Sequence, residues 1–163
     1  MTRPCHRRSG AVTVEAAVVL GVLVVVMLGT MVCGVGVFRH QQVACLATEA
    51  ARYASLRGGD YQKDTTGALR PPPTRQQIVD AAVAPKAIGM DPAAVSVTVQ
   101  WIDRGANGGP KDWDVATKDV RSVTVGGEYV TNTVRVTATY HWTPGVFFAP
   151  ADLTAVCELP MAY

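Results

Sequence analysis

Ser9-Gly10-Ala11-Val12-Thr13-Val14-Glu15 opens a run that carries no charge from Ala16 to Phe38. As a helix, residues 11–38 would extend about 42 Å at about 1.5 Å per residue, against a hydrocarbon layer of roughly 30 Å. The segment is long enough to cross a bilayer. It leaves through Phe38-Arg39-His40. A secretory signal has an apolar region of only about 7–15 residues, so this run is better read as a permanent span. A lipoprotein signal is excluded as well, because neither Cys33 nor Cys45 has a Leu three positions before it. Arg3, Arg7 and Arg8 favour a cytoplasmic N-terminus, with everything after Arg39 outside. Glu15 stands out: a lone carboxylate at the mouth of the span either snorkels to the headgroups or has a task.

Beyond the bilayer, Val43, Leu46, Ala47, Ala50 and Ala54 recur at helical spacing, with Gln42, Glu49, Arg52 and Ser55 on the other side. Ala is the strongest helix former, so the helix should continue through 39–57 with an amphipathic outer half. Arg57-Gly58-Gly59-Asp60 should end it as a glycine C-cap.

Gly10 to Ala17, the apolar run, Gln42-Val43-Ala44 and Ala47-Thr48-Glu49-Ala50-Ala51-Arg52-Tyr53-Ala54 together resemble TadE-like proteins. These are minor pseudopilins of the bacterial tight-adherence (Tad/Flp) pilus assembly systems. The likeness covers the first third of the chain as motif and the rest as architecture only. It implies a basic prepilin-type leader over 1–10, cut between Gly10 and Ala11 by a prepilin peptidase so that Glu15 becomes the fifth mature residue. Glu15 would then serve peptidase recognition, and afterwards pair with a newly exposed α-amine. Ala11 departs from the Phe common at that position in type IV pilins. Further implications are an inner-membrane location, other pilins or pseudopilins and the Tad secretion machinery as partners, and a pilin-like α+β fold with the long helix on a small antiparallel sheet.

The remaining sequence fits that order. Residues 60–74 are polar and include Arg70-Pro71-Pro72-Pro73, which cannot be helix interior. A short helix is expected over 74–88, opened by the capping-box pattern Thr74-x-x-Gln77, interrupted at Pro85 and stopped by Gly89. Strands are expected within 94–159. Val95 to Trp101 and Val134 to Trp142 alternate with period two, Arg121 to Val125 is a shorter candidate, and Leu153 to Leu159 would return as an edge. Helices followed by strands make an extracytoplasmic α+β domain over 39–163.

Several functions lack residues to rest on. A net charge of +2 without a basic stripe gives no footprint for nucleic acid. There is no CxxC or Cys/His ligand spacing for zinc. Asp103, Asp112, Asp114 and Asp119 sit in a Gly-rich connection without an EF-hand pattern, and a solvated loop is the expectation there. His6, His40 and His141 are isolated, and no nucleophile can be assembled with a base, so neither catalysis nor a cofactor is expected. Of the cysteines, Cys5 would leave with the leader and Cys33 lies in the span. Cys45 and Cys157 share the outer compartment, as a disulfide or as two buried free thiols. Ala17-x-x-x-Gly21 and Thr30-x-x-x-Gly34 are small-residue pairs that suit close helix approach in lipid, or merely reflect the abundance of Gly in membrane helices. The rival functional reading is a single-span anchored binding or adhesion domain that is never processed.

Overall fold

The computed structural model describes residues 9–61, 71–106, 108–145 and 149–162. Arg3, Cys5, His6, Arg7, Arg8 and Arg70 lie outside the described residues. The chain divides between Phe38 and Arg39 into two compact units. One helix, α1, runs Ser9–Ser55 and contributes to both. In the first unit none of residues 10–38 is buried: Val, Leu and Met side chains are exposed all round the helix. A helix that is apolar on every side and buried by none of the described residues matches lipid rather than water.

The second unit, Arg39–Tyr163, holds the core. Here α1 buries one face, with Val43, Leu46, Ala47, Ala50, Ala51 and Ala54 all at most 1% exposed. Four alanines on that face let the helix axis come close to what it covers. That partner is a four-stranded antiparallel sheet of β1 (Val95–Asp103), β2 (Gly109–Asp112), β5 (Thr133–Trp142) and β6 (Ala151–Pro160), in the order β2-β1-β5-β6. The alternation of β1 and β5 dictates the inner surface. Val99 and Trp101 are buried from one strand, Val134, Val136 and Ala138 from the other, and Val97, Leu153, Ala155, Cys157 and Leu159 pack against them half-buried. The register pairs Val99 with Val136 and Val136 with Cys157, so the apolar residues form rows under the helix. The fold is therefore α+β: a long N-terminal helix packed on a small antiparallel sheet.

Smaller pieces close the unit. Thr74 caps helix α2 (Arg75–Ile78): its hydroxyl accepts from Gln77 N–H at 3.3 Å, while the Gln77 side chain accepts from Thr74 N–H at 3.0 Å. The chain then widens to a π-turn over Val79–Val83 and tightens to a 3-10 turn over Ala84–Lys86. A second sheet pairs β3 (Arg121–Val123) with β4 (Tyr129–Thr131).

Two expectations need correction. Neither Gly58 nor Gly59 adopts positive φ, so the Gly pair is no left-handed cap. Instead Gly59 N–H donates to Lys118 carbonyl at 2.8 Å, and a Cβ on Gly59 would sit 3.0 Å from the carbonyl oxygens of both Thr117 and Lys118. Glycine is needed there for close backbone approach. Nor is the 103–119 connection merely solvated. Trp113 is fully buried within it, donating from Nε1 to Pro73 carbonyl at 2.7 Å, and Gly109–Asp112 adds a strand to the sheet edge.

Candidate functional site

The groups singled out from sequence fall on three surfaces. Gly10, Ala11 and Glu15 lie on the first turns of α1, all exposed, and a Cβ on Gly10 would meet nothing within 4 Å. Gly21, Gly29 and Gly34 likewise face open space. Such notches leave room for a neighbouring helix. Cys45 and Cys157 are both free thiols: Cys45 is on the exposed side of α1, whereas Cys157 is half-buried in β6. The bridge considered above is thus not formed in this structure, because one thiol points away from the sheet that carries the other.

The outer end of α1 carries a polar groove that the sequence did not announce. Glu49 pairs with Lys86 at 2.8 Å, across to the 3-10 turn. One and two turns further on, the Arg57 guanidinium stacks 3.8 Å over the Tyr53 ring, and its Nη1 donates to Tyr53 carbonyl at 3.4 Å. Glu49, Arg52, Tyr53, Arg57 and Lys86 border a shallow cleft of about 260 Å³. The signal available was the four-residue spacing of Tyr53 and Arg57, close enough for the guanidinium to fold back over the ring just past the helix end at Ser55.

On the sheet surface opposite the helix, Glu158 of β6 is the hub. It accepts from Thr133 Oγ1 at 2.7 Å, from Arg135 Nη2 at 2.9 Å and Nε at 3.1 Å, and from Arg104 Nη2 at 2.8 Å. The Thr133 hydroxyl first, then Arg135 and Arg104, hold its carboxyl down to about 2. The parity that turns Val134 and Leu159 inward turns Arg135 and Glu158 outward, and the register sets those two opposite each other.

The four aspartates of the 103–119 connection are engaged in hydrogen bonds within the fold. Asp103 accepts from Gly105 N–H at 2.9 Å and from Lys111 at 3.2 Å. Asp112 accepts from Asp114 N–H at 2.9 Å, while Asp114 accepts from Arg75 N–H at 2.8 Å. Asp119 contributes its backbone carbonyl, to Trp101 Nε1 at 3.2 Å and Asn132 Nδ2 at 2.8 Å. His141 Nδ1 lies 2.7 Å from Asp152 Oδ1, a cross-strand pair at an exposed position. These surfaces are an exposed apolar helix, a charged groove and a charged sheet face.

Residues 10–52 match the family model of the TadE-like protein. Over this stretch the chain is similar to TadE-like proteins. The match begins at Gly10, runs through the exposed apolar helix and ends at Arg52 beside the groove. Comparison with curated proteins and with solved structures gave no match. A TadE-like segment on an apolar N-terminal helix long enough to cross a membrane fits a membrane-anchored, pilus-related protein.

Proposed function

We propose that this TadE-like chain is a pseudopilin-type component of Tad/Flp pilus assembly or tight-adherence secretion, processed by a prepilin peptidase between Gly10 and Ala11. The observation that carries the reading is the TadE-like match over residues 10–52, whose first residue is the glycine of the expected cut. The basic residues before it and the exposed Glu15 five positions after it support the same site. In this reading the helix anchors the protein in the inner membrane with its N-terminus cytoplasmic, and the unit from Arg39 onward meets other pilins or pseudopilins and the secretion machinery outside. The chain is a substrate and building part rather than a catalyst.

The test is the N-terminal residue of membrane-extracted protein, read by mass spectrometry from cells with an active prepilin peptidase. A chain beginning at Ala11 is expected. Retention of residues 1–8 would sink the processing claim and leave an unprocessed anchored domain. A phosphatase fused after Tyr163 checks orientation independently and should be active.

A further inference from the structure

The two edges of the four-stranded sheet are finished differently. At one edge stands β2, four residues that include Pro110 and Lys111, with the Asp112 carbonyl taken by the N–H groups of Val115 and Ala116. Proline and lysine both stop an edge from pairing further. At the other edge stands β6, ten residues in unbroken register with β5. No lysine, proline or bulge interrupts it between Ala151 and Leu159. Met161 N–H donates to Asn132 carbonyl, the next pair in that register, so the odd-numbered residues of β6 bond to β5. The neighbouring ladder agrees. Trp113 N–H donating to Val99 carbonyl turns the odd-numbered residues of β1 toward β2 and the even-numbered ones toward β5. Asp152, Thr154, Val156 and Glu158 therefore direct their backbone N–H and C=O groups away from the sheet. Among the described residues, nothing bonds to those backbone groups.

We propose that the β6 edge is a docking site for an extended strand lent by another protein, added to the sheet as a fifth strand. The inner row says which side chains that strand brings. Val99, Val134, Val136 and Ala138 are fully buried beneath α1, whereas Leu153, Ala155, Cys157 and Leu159 of β6 are only half-buried. An added strand with small apolar residues at alternate positions covers the open flank of that row, while backbone bonds supply the affinity. Its other face lies beside Val156, which is 60% exposed. Asp152 leaves its carboxylate largely exposed beyond its contact with His141, which favours a basic residue opposite. Glu158 is already held by Arg104 and Arg135. A second copy of this chain fits the edge poorly. Its β2 is closed, so copies cannot add head to tail. Pairing β6 with β6 needs a two-fold axis perpendicular to the sheet, which reverses α1. Arg39, beside Gly89 just before β1, marks the end of the sheet where β6 starts, and Ser55, bonded to Ala162 N–H, marks the end where β6 stops. Two copies so joined carry their Arg39 residues at opposite ends. Chains anchored side by side have those ends together.

The experiment is amide hydrogen exchange, read by NMR on the full chain in detergent micelles. The probe is a synthetic peptide of alternating valine and threonine with a lysine at each end. Without peptide, the N–H groups of Thr154, Val156 and Glu158 should exchange about tenfold faster, or more, than those of Ala155 and Cys157, which lie in the ladder. Saturating peptide should slow the three even-numbered amides by about tenfold. The same peptide N-methylated on its facing amides should leave them unchanged. Val156→Pro removes an outward N–H but keeps the β5 ladder whole, so it should abolish peptide binding while the thermal unfolding midpoint moves little. Protection of the even-numbered amides in the free chain at every concentration would overturn the proposal, because the edge would then be covered by its own chain. Protection that grows with chain concentration would overturn it in favour of a second copy. Binding that survives N-methylation and Val156→Pro would overturn it as side-chain adsorption, and so would the absence of saturable binding.

Discussion

Asn132 is the residue whose loss the structure prices most directly. It is fully buried. Its Nδ2 donates to Asp119 carbonyl at 2.8 Å and to Ser122 Oγ at 2.9 Å, while Oδ1 accepts from Arg104 N–H at 3.0 Å. Its backbone carbonyl accepts from Met161 N–H at 2.9 Å, one residue before Ala162 N–H donates to Ser55 carbonyl. Asn132 thus ties the small ribbon to the sheet beside the link from the C-terminal strand to the helix end. Asn132→Ala removes three side-chain bonds at about 1 kcal/mol each. Asp119 carbonyl keeps its bond from Trp101 Nε1, so that acceptor is not orphaned, and Arg104 is on the exposed side where water can reach it. A cost of about 2–4 kcal/mol follows, a large part of a domain's usual margin of about 5–15 kcal/mol. Asn132→Asp keeps the acceptor for Arg104 but turns an oxygen toward Asp119 carbonyl, and should destabilise at least as much at neutral pH. The assay is urea unfolding of the full chain in detergent, followed by tryptophan emission, which Trp101 makes sensitive to this junction. A midpoint shift for Asn132→Ala equivalent to less than about 1 kcal/mol would refute the hub.

Ala50→Leu should cost about 1–3 kcal/mol by overpacking the helix against the sheet, whereas Thr48→Leu on the exposed side should stay within about 0.5 kcal/mol; thermal unfolding compares the two. Glu158 gives a pH signature, because a carboxyl held near 2 stabilises the fold above its ordinary 4.5 and loses that contribution as pH falls from 4.5 toward 2. Arg104 and Arg135 are about half exposed, so screening leaves about 1–2 kcal/mol of this contribution, and Glu158→Gln should flatten the stability curve across that window. Glu15→Gln keeps the shape but removes the charge, so membrane insertion should be no worse while cross-linking to pilus components falls, with cleavage checked in parallel. Unchanged cross-linking and adherence would mean the carboxylate is incidental.

The parts of the fold legible in the sequence are those governed by periodicity. Val95 to Trp101 and Val134 to Trp142 alternate cleanly because one face of each strand is buried, and they lie side by side. Other elements have no period to read. Gly109–Asp112 is four residues with Pro110 inside, tolerable because the strand is at the sheet edge and needs no ladder donor from Pro. Tyr129–Thr131 is too short to alternate visibly. Trp113 was hidden by its company: Lys111, Asp112 and Asp114 mark a surface loop, yet those charges point out and the indole points in. The 74–88 stretch has a clear cap, but its hydrogen bonding shifts from Ile78 onward. Ala84 N–H reaches back five residues to Val79 carbonyl immediately before Pro85, which has no N–H to continue the ladder.

The candidate site divides along the same line. Gly10, Glu15 and the span are local in sequence, so their spacing alone could nominate them. The groove and the sheet face arise from pairings far apart in the chain. Lys86 reaches Glu49 only because the 3-10 turn lies along α1, and Arg104 reaches Glu158 only because β1 and β6 flank β5. Both contacts are set by register, which no single stretch of residues states. The family match stops at Arg52, just before the Tyr53–Arg57 stack. The stretch similar to TadE-like proteins thus covers the apolar helix and the buried alanines Ala47, Ala50 and Ala51 of α1. Of the charged surfaces, the sheet face around Glu158 lies wholly beyond the match, while the groove straddles its end: Glu49 and Arg52 are inside it, and Tyr53, Arg57 and Lys86 outside. If the proposed assembly role holds, substitutions at Arg57, Lys86, Arg104 or Glu158 should alter cross-linking to pilus components while the amount of membrane-extracted protein stays the same.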